Sequence, residues 1–293
     1  MTKENYGLTP NEIMAFERDG FFGPFKVYEP EEIENAWKKV RVEVHDRSHA
    51  AYELKPTGGL SIANYDRHLD IPFLSKHICR PQIVDRLNSV LGPDVLTWRT
   101  EFFPKYPGEK GTPWHQNSTF QSASGKVQLA WPEGSKLQGC ITVWCAVTDS
   151  TIENGCLKLM PKTQYTRYYD EERGFKDQDS VNGFGYNFKE IQFDPDWKPD
   201  ESQAFPLVLK AGEAIAFWST LLHGSFPNVS NKMRLGFASR YVPSQVKIYP
   251  GTENVSEFGD TISLDRWGAV QVSGIDKFGH NKIVDRNLRG QRF

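Results

Sequence analysis

The sequence predicts a mainly β fold: a double-stranded β-helix, that is, a jelly-roll or cupin-like barrel, with helices flanking it on the N-terminal side. Before residue 95 the apolar residues follow the spacing of amphipathic helices. From residue 95 onward, β-rich or alternating segments recur between Gly, Pro, Asn and Asp residues, at 95–103, 139–146, 155–160, 213–218 and 233–242. Short strands bounded by such turn residues are typical of an all-β sandwich or barrel.

Three helices are predicted ahead of the barrel. In the first, Thr9 is the N-cap, Pro10 takes the first helical position, and the helix continues to about Asp19. The second covers about residues 29–45, and the third covers residues 81–91. Each has a proline at its start, where the missing N–H costs nothing because the first N–H groups of a helix have no partner within it.

We expect a single domain that covers residues 1–293. That length is within range for one β-barrel with helical additions. The chain contains no internal repeat, no low-complexity tract and no linker rich in Pro and Gly. Hydrophobic residues make up 38% and charged residues 25%, which indicates an ordinary globular chain rather than a disordered one.

Charge and hydropathy limit the classes of partner. The net charge is −2, so no overall basic field attracts nucleic acid. The chain opens on polar residues and its apolar runs are far shorter than a membrane span, so neither a secretory leader nor a membrane contact is expected. The four cysteines form no C-x-x-C pair. We expect free, mostly buried thiols in a reducing, cytoplasmic setting.

Two histidines stand where a metal site on such a barrel would need them. His115 follows the strand that ends near Phe103, and His223 lies at the end of the strand that covers residues 214–218. Arg234 comes eleven residues after His223, on the next predicted strand. A facial Fe(II) site uses two His and a carboxylate and leaves positions open for 2-oxoglutarate and O₂. An Arg on a neighbouring strand can bind the far carboxylate of 2-oxoglutarate through two hydrogen bonds.

Each of these histidines alone would be weak support for a metal site. The other five are expected to be surface or structural residues, as a single His usually is: His45, His49, His68, His77 and His280. Trp-rich strands are likewise usually core. The joint pattern of His115, His223 and Arg234 within a β-rich frame carries the metal hypothesis.

Four stretches of the chain resemble the phytanoyl-CoA dioxygenase superfamily: residues 98–108, 139–144, 218–221 and 234–243. Within that superfamily the chain is similar to the chlorinating enzymes of non-ribosomal peptide assembly lines, typified by the syringomycin threonine halogenase. The similarity runs from about Leu8 to the C-terminus and includes residues 64–68 and 197–201.

This resemblance implies a non-haem enzyme with Fe(II), 2-oxoglutarate and O₂ as cofactors, and with chloride if the chain is a halogenase. The implied substrate is an aminoacyl group that a peptidyl carrier protein holds on a phosphopantetheine arm. The implied site residues are His115 and His223 as iron ligands, Arg234 and Trp144 at the cofactor, Thr142 and Arg240 on the halide side, and Phe120, Phe184 and Glu101 in the substrate pocket.

The chain departs from this family at two positions, both on the halide side. The position two residues after the first His is Ala or Gly in the halogenases and Asp in the hydroxylases, and here it is Asn117. Ser122 stands where the chlorinating enzymes carry an Asn that supports the halide. Asn117 can ligate iron through its amide oxygen, or it can swing away and donate from its NH₂ group to a bound chloride. The space it occupies favours the first geometry and the charge balance favours the second.

Three functions follow from these residues. The first is halogenation, with hydrogen abstraction from an unactivated carbon and delivery of chlorine. The second is hydroxylation of the same kind of substrate, since Asn117 replaces the Ala or Gly of the halogenases. The third is a non-catalytic barrel that binds ligands without iron. It is disfavoured by the joint presence of five residues: His115, His223, Arg234, Thr142 and Arg240.

Overall fold

Helices precede the barrel, as the sequence predicts. A computed structural model of the chain describes residues 4–53, 65–175, 187–257 and 260–293. Its α-helices are α1 (Pro10–Asp19), α2 (Pro30–Glu43), α3 (Pro72–His77), α4 (Pro81–Leu91) and α5 (Gln121–Ser124). The first four begin at a proline. The predicted bounds of α1 and α4 are confirmed, and α2 ends two residues before its predicted end. The short helices α3 and α5 were not predicted, because six or four residues are too few to show helical periodicity.

The described residues contain fourteen strands, which are numbered here in chain order. They are β1 (Phe21–Lys26), β2 (Val95–Lys105), β3 (Leu129–Ala130), β4 (Ile141–Ala146), β5 (Leu157–Leu159), β6 (Phe205–Pro206), β7 (Glu213–Trp218), β8 (His223–Ser225), β9 (Arg234–Pro243), β10 (Lys247–Ile248), β11 (Asn254–Glu257), β12 (Asp260–Ser263), β13 (Ala269–Ser273) and β14 (Ile283–Val284). Every segment predicted as β-rich contains one of these strands.

The large sheet has seven strands in the order β1-β7-β4-β9-β2-β13-β14. All neighbours are antiparallel except β13 and β14. In β4, alternate residues point to opposite faces of the sheet. Thr142 and Trp144 face the cavity described below, whereas Val143 and Cys145 lie in the hydrophobic core, and Cys145 contacts a small apolar space bordered by α2 and α3. The helices thus cover one face of the sheet and the other face is left for the site.

A second sheet of three strands, in the order β6-β5-β8, faces the large one. Leu157 of β5 and His223 of β8 line the same cavity as residues of β4 and β9, so the site lies between the two sheets. This arrangement of two facing antiparallel sheets is the predicted jelly-roll fold. No helix in the described residues is long and apolar enough to cross a membrane.

One predicted position is corrected by the fold. We expected His223 at the end of the strand that contains residues 214–218, but it begins a separate strand, β8, that pairs with β5. A turn separates β7 from β8, and within it the Leu221 N–H donates to the Trp218 carbonyl at 2.9 Å. The chain therefore leaves the large sheet after Trp218, and His223 belongs to the small one.

Candidate active site

The predicted site residues surround one cavity of about 300 Å³ between the sheets. Ten of them line it: Glu101, His115, Asn117, Phe120, Ser122, Thr142, Trp144, His223, Arg234 and Arg240. Phe184, predicted for the substrate pocket, lies outside the described residues. Residues that are far apart in the sequence therefore meet at one place, while the role predicted for each of them stays a prediction.

His115 and His223 form an isolated antiparallel bridge. The His115 N–H donates to the His223 carbonyl at 2.9 Å, and the His223 N–H donates to the His115 carbonyl at 3.0 Å. Directly paired residues project their side chains to the same face of a sheet. The two ring centroids consequently lie 4.1 Å apart.

Backbone carbonyls fix the orientation of both imidazoles. Nδ1 of His115 lies 2.9 Å from the Pro113 carbonyl, and Nδ1 of His223 lies 2.7 Å from the Leu221 carbonyl. Since a carbonyl only accepts, each Nδ1 carries the proton and each Nε2 keeps its lone pair. Burial lowers the pKa of His115 to about 4, and burial together with the neighbouring His115 lowers the pKa of His223. Both rings are therefore neutral at pH 7, which is the form that binds a metal.

Aromatic rings hold the imidazoles in place. The Phe188 ring stacks on His115 with centroids 4.6 Å apart, and the Phe217 ring lies 5.0 Å from His223. Phe175 meets Phe188 edge to face at 5.2 Å, and both of these rings line the cavity. None of these three rings was predicted as part of the site, because the sequence of an aromatic residue gives no sign of which distant ring it will contact.

Hydrogen bonds to the backbone of Asn117 fix its position. Its N–H donates to the Ser219 carbonyl at 2.8 Å, and the Ser219 hydroxyl donates to the Asn117 carbonyl at 2.7 Å. The half-buried side chain lines the cavity, and no hydrogen bond joins its amide to another described residue. The described residues also contain no group of three His, Cys, Asp or Glu side chains that could hold a metal. The groups here that could bind a cation are therefore the imidazoles of His115 and His223 and the amide of Asn117, which no hydrogen bond to a described residue holds in place.

Arg234, the first residue of β9, is a buried cation at the cavity wall. Its Nε and Nη2 donate to the Gly155 carbonyl at 3.2 and 2.8 Å, and its Nη1 donates to the Phe103 carbonyl at 3.0 Å. Burial lowers its pKa to about 10, so the guanidinium stays charged at neutral pH. None of the carboxylates in the described ranges forms an ion pair with it. A buried cation without an ion-pair partner fits an anionic ligand in the cavity.

Trp144 lies against this cation. The Arg234 guanidinium is 5.4 Å from the centre of the indole ring, and the buried indole Nε1 has no hydrogen-bond partner among the described residues. An unpartnered buried N–H at the cavity wall is suited to an oxygen of a ligand. Gly236 makes room for the indole, since a Cβ at that position would lie 1.8 Å from the ring. Gly236 was not predicted as part of the site, although a Gly inside a strand is a known sign that another group approaches the backbone closely.

Glu101 and Arg240 form an ion pair on the opposite part of the wall, with Oε2 and Nη2 3.1 Å apart. Burial raises the pKa of Glu101 to about 7, and the charges of Arg240 and Arg99 limit the rise. Nη1 of Arg240 is buried without a partner among the described residues. The charge of Arg240 contributes to lowering the pKa of both cavity histidines, which places it on their side of the site.

A second buried ion pair in the wall was not predicted. Nη1 of Arg99 lies 3.1 Å from Oε1 of Glu257, and the same Oε1 accepts from Gln128 at 2.6 Å. Tyr249 accepts a hydrogen bond from Arg99 at 2.7 Å. These contacts pair the two charges within the wall, while Nε of Arg99 has no partner among the described residues. The pair contributes shape and rigidity.

The chain is similar to known proteins in both sequence and fold. The profile of the family described as phytanoyl-CoA dioxygenase (PhyH) matches residues 16–236. The chain belongs to the phytanoyl-CoA dioxygenase family. It is 32% identical over 108 residues to a phytanoyl-CoA dioxygenase of Arabidopsis thaliana, which covers 36% of this chain and 34% of the relative. It is 27% identical over 229 residues to the peroxisomal phytanoyl-CoA dioxygenase of Rattus norvegicus, which covers 75% of this chain and 61% of the relative. The chain thus spans less than two thirds of the length of either.

Among solved structures, CytC3 with Fe(II) and α-ketoglutarate is similar over nearly the whole chain. The two are 47% identical with a TM-score of 0.81, and the match covers 99% of this chain and 97% of CytC3. The nickel complex of the non-haem monooxygenase ThoJ matches with a TM-score of 0.63 at 22% identity, over 93% of this chain and 86% of ThoJ, which shows the shared fold.

The family and the CytC3 structure show Fe(II) and 2-oxoglutarate as the cofactors, with O₂ as the cosubstrate. The cavity fits them. It offers two neutral imidazoles on one side. On the other it offers a buried guanidinium and an indole N–H, and among the described residues the first has no ion-pair partner and the second no hydrogen-bond partner. These features agree with the chain's membership of the phytanoyl-CoA dioxygenase family.

Proposed function

We propose that the chain is a halogenase that chlorinates an aliphatic carbon of an aminoacyl group held on a peptidyl carrier protein, in natural-product biosynthesis. The observation that carries the proposal is the third position of the site, where an untethered amide stands in place of a carboxylate. The identity of 47% with CytC3, along 99% of this chain, supports the assignment to the same group of enzymes.

In this proposal the two histidines hold iron and Arg234 holds 2-oxoglutarate. The imidazoles present their Nε2 lone pairs from a bridge whose backbone hydrogen bonds keep the two rings together. The guanidinium and the Trp144 indole N–H receive the distal carboxylate at the end of the cavity near β9. When bound, the iron with 2-oxoglutarate and O₂ supplies an oxidant that removes a hydrogen atom from an unactivated carbon.

The chloride site lies on the side of Asn117, Thr142 and Arg240. In the register of the large sheet Thr142 pairs with Arg240, so the hydroxyl and the guanidinium belong to neighbouring strands. The unpartnered Nη1 of Arg240 is a buried charged donor suited to an anion. The overall reaction converts R–H, chloride, O₂, 2-oxoglutarate and one proton into R–Cl, succinate, CO₂ and water.

A carrier-bound substrate suits the form of the cavity. The space is open at one end, where Lys110 is exposed at the rim and offers an ammonium group to the phosphate of the arm. Phe120, Phe175 and Phe188 supply apolar surface for a short aliphatic side chain. The resemblance of the sequence to the chlorinating enzymes supports the same class of substrate. The test compares turnover of free amino acids with turnover of the same residues as carrier thioesters, and equal rates would contradict the carrier requirement.

Hydroxylation is the second candidate, and a specific feature favours it. The Asn117 amide oxygen is as far from its backbone as a carboxylate oxygen of Asp would be. Its backbone is fixed by two hydrogen bonds to Ser219. An amide oxygen on the iron would fill the position that chloride needs, and hydroxyl transfer would follow.

The deciding experiment compares the wild type with Asn117→Ala and Asn117→Asp. Each protein is assayed on a panel of aminoacyl carrier thioesters at graded chloride, and chlorinated and hydroxylated products are separated by mass spectrometry. We expect chlorinated product from the wild type and from Asn117→Ala, and none from Asn117→Asp. Hydroxylated product alone from the wild type at saturating chloride would establish the second candidate instead.

A further inference from the structure

A second cavity of about 160 Å³ lies behind Asn117, and we call it the side pocket. Its floor is formed by Gln116, Ser118 and Thr220, which are buried. Its rim is formed by exposed residues, among them Lys136. The volume is enough for several water molecules, each of which takes roughly 30 Å³ in the liquid. The side pocket therefore reaches from the protein surface to the back of the iron site.

The wall between the side pocket and the main cavity is one chain thick. His115 lines the main cavity, and the next residue, Gln116, lines the side pocket. Likewise, Ser219 lines the main cavity and Thr220 lines the side pocket. This is expected for an extended chain, in which successive side chains point to opposite sides. Within the described ranges, Asn117 alone lines both cavities. Asn117 is thus part of the partition between them.

The charges of the side pocket favour an anion. Lys136 and Arg167 are exposed at the rim. The one carboxylate of its lining belongs to Glu171, which is 3% exposed. That carboxylate accepts hydrogen bonds from the N–H of Ser118 and from the N–H and hydroxyl of Thr119. Since its charge is spread over these donors, the two rim cations give the pocket a net positive character.

Two buried oxygens in the lining are left without partners. Thr220 Oγ1 and Gln164 Oε1 form no hydrogen bond with other described residues, although the side chains are only 8% and 3% exposed. The lining of the side pocket is therefore rich in polar side chains, which suits water or a small ion better than an apolar ligand.

We propose that the side pocket is the passage by which chloride reaches the iron site, separate from the mouth through which the substrate arm is inserted. The inference rests on the proposed function, because it assumes that chloride binds beside Asn117. Its consequence is that chloride can exchange while a carrier-bound substrate fills the main cavity. Asn117, whose amide no hydrogen bond to a described residue restrains, is the point at which this passage would join the two cavities.

The test measures the rates of chloride binding and release, not product. Stopped-flow absorbance follows the charge-transfer band of the Fe(II)–2-oxoglutarate protein, without O₂, after mixing with chloride. Thr166→Trp narrows the rim, where the Thr166 side chain is exposed. Obstruction of a passage slows entering and leaving by the same factor, so both rates should fall several-fold while the Kd for chloride stays unchanged.

A charge reversal tests the same passage without altering its width. Lys136→Glu should lower the association rate on the order of three- to ten-fold at low ionic strength, and added salt should remove the difference. The matched control is Lys39→Glu, an exposed position on α2 away from both cavities, which changes the net charge equally and should have little effect.

The outcomes separate this inference from the proposed function. Chloride that binds with unchanged rates in both Thr166→Trp and Lys136→Glu would overturn the passage while the halide site stands. A change in Kd alone for Thr166→Trp would also count against a passage. Failure of both the wild type and Asn117→Ala to bind chloride at any concentration would overturn the passage and the proposed halogenation together.

Discussion

The carboxylate of Glu101 and the guanidinium of Arg240 lie 3.1 Å apart in the cavity wall, and one nitrogen of that guanidinium remains unpartnered among the described residues. The pair joins a group that titrates near neutral pH to the cation that we assign to the chloride side. Burial raises the pKa of Glu101 from the ordinary value near 4.5 to about 7.

Chloride affinity should therefore depend on pH. Below about pH 7 the Glu101 carboxyl is protonated and neutral, and above it the carboxylate adds a negative charge near the anion. Affinity should fall as the pH rises through 7, by roughly 1 kcal/mol or about five-fold. Because the raised pKa lies in the folded state, stability should also decline between about pH 4.5 and 7. Chloride titrations of the Fe(II)–2-oxoglutarate protein, followed by absorbance, check the first effect. Glu101→Gln should remove the dependence, and an unchanged profile in that variant would refute it.

His223→Ala should abolish iron binding. The remaining imidazole and the Asn117 amide leave too few ligands to hold Fe(II). Iron content after anaerobic loading and desalting gives the measurement, and circular dichroism verifies the fold. The control is His280→Ala, since His280 is exposed and lies outside the cavity. Stoichiometric iron in His223→Ala would disprove the assignment.

Arg234→Lys should weaken 2-oxoglutarate by about 1.5–3 kcal/mol, the usual value of a charged hydrogen bond. A lysine keeps the charge but loses the planar fork that the Gly155 and Phe103 carbonyls hold in place. Anaerobic titration of the iron protein with 2-oxoglutarate measures the change. Arg41→Lys, an exposed position on α2, serves as the control. An unaltered Kd for 2-oxoglutarate would rule out the role of Arg234.

Substitutions at Asn117 should change the affinity for chloride in a defined order. Asn117→Ala removes the competing amide and should bind chloride more tightly than the wild type, by roughly 1 kcal/mol or about five-fold. Asn117→Asp supplies both a ligand and a negative charge and should lose chloride binding. Equilibrium titration of the three iron-loaded proteins gives the ranking. Identical responses of the wild type and Asn117→Ala would make Asn117 a bystander.

Gly236→Ala should destabilise the protein by about 1–3 kcal/mol, because the added methyl group collides with the Trp144 indole and β9 is paired on both sides. Displacement of the indole should also weaken the binding of 2-oxoglutarate. Urea unfolding measures the stability and anaerobic titration measures the Kd. A double-mutant cycle with Trp144→Phe isolates the collision, since the smaller ring should restore part of the loss. Strictly additive effects would mean that the two residues do not interact.

Many of the helices and strands could be predicted from the sequence, because the residues that indicate them lie within each element or next to it. Pro10 and Pro81 mark helix starts, and the alternation of apolar residues marks β7 and β9, where the predicted bounds agree closely with the structure. That His115 and Arg234 share a cavity could be proposed from their order along the chain together with the family resemblance.

The features that could not be predicted from the sequence depend on contacts between distant parts of the chain. The Phe188 ring reaches His115 from a stretch with no regular spacing, and the need for Gly at 236 arises only when Trp144 lies across it. His223 was assigned to the wrong strand because the turn after Trp218 changes sheet without Gly or Pro to mark it. The side pocket has no sequence signal, since its lining comes from four separate segments.

The unrestrained amide of Asn117 also bears on how such a protein can change over generations. The side chain takes part in no hydrogen bond with the described residues, so its replacement should leave the stability of the fold nearly intact. Codons for Asn and Asp differ by a single nucleotide. If position 117 selects the group transferred, one point mutation in the gene alters the product while the scaffold, the iron site and the cosubstrate site persist. New chemistry can then arise here without the loss of folding that usually opposes it.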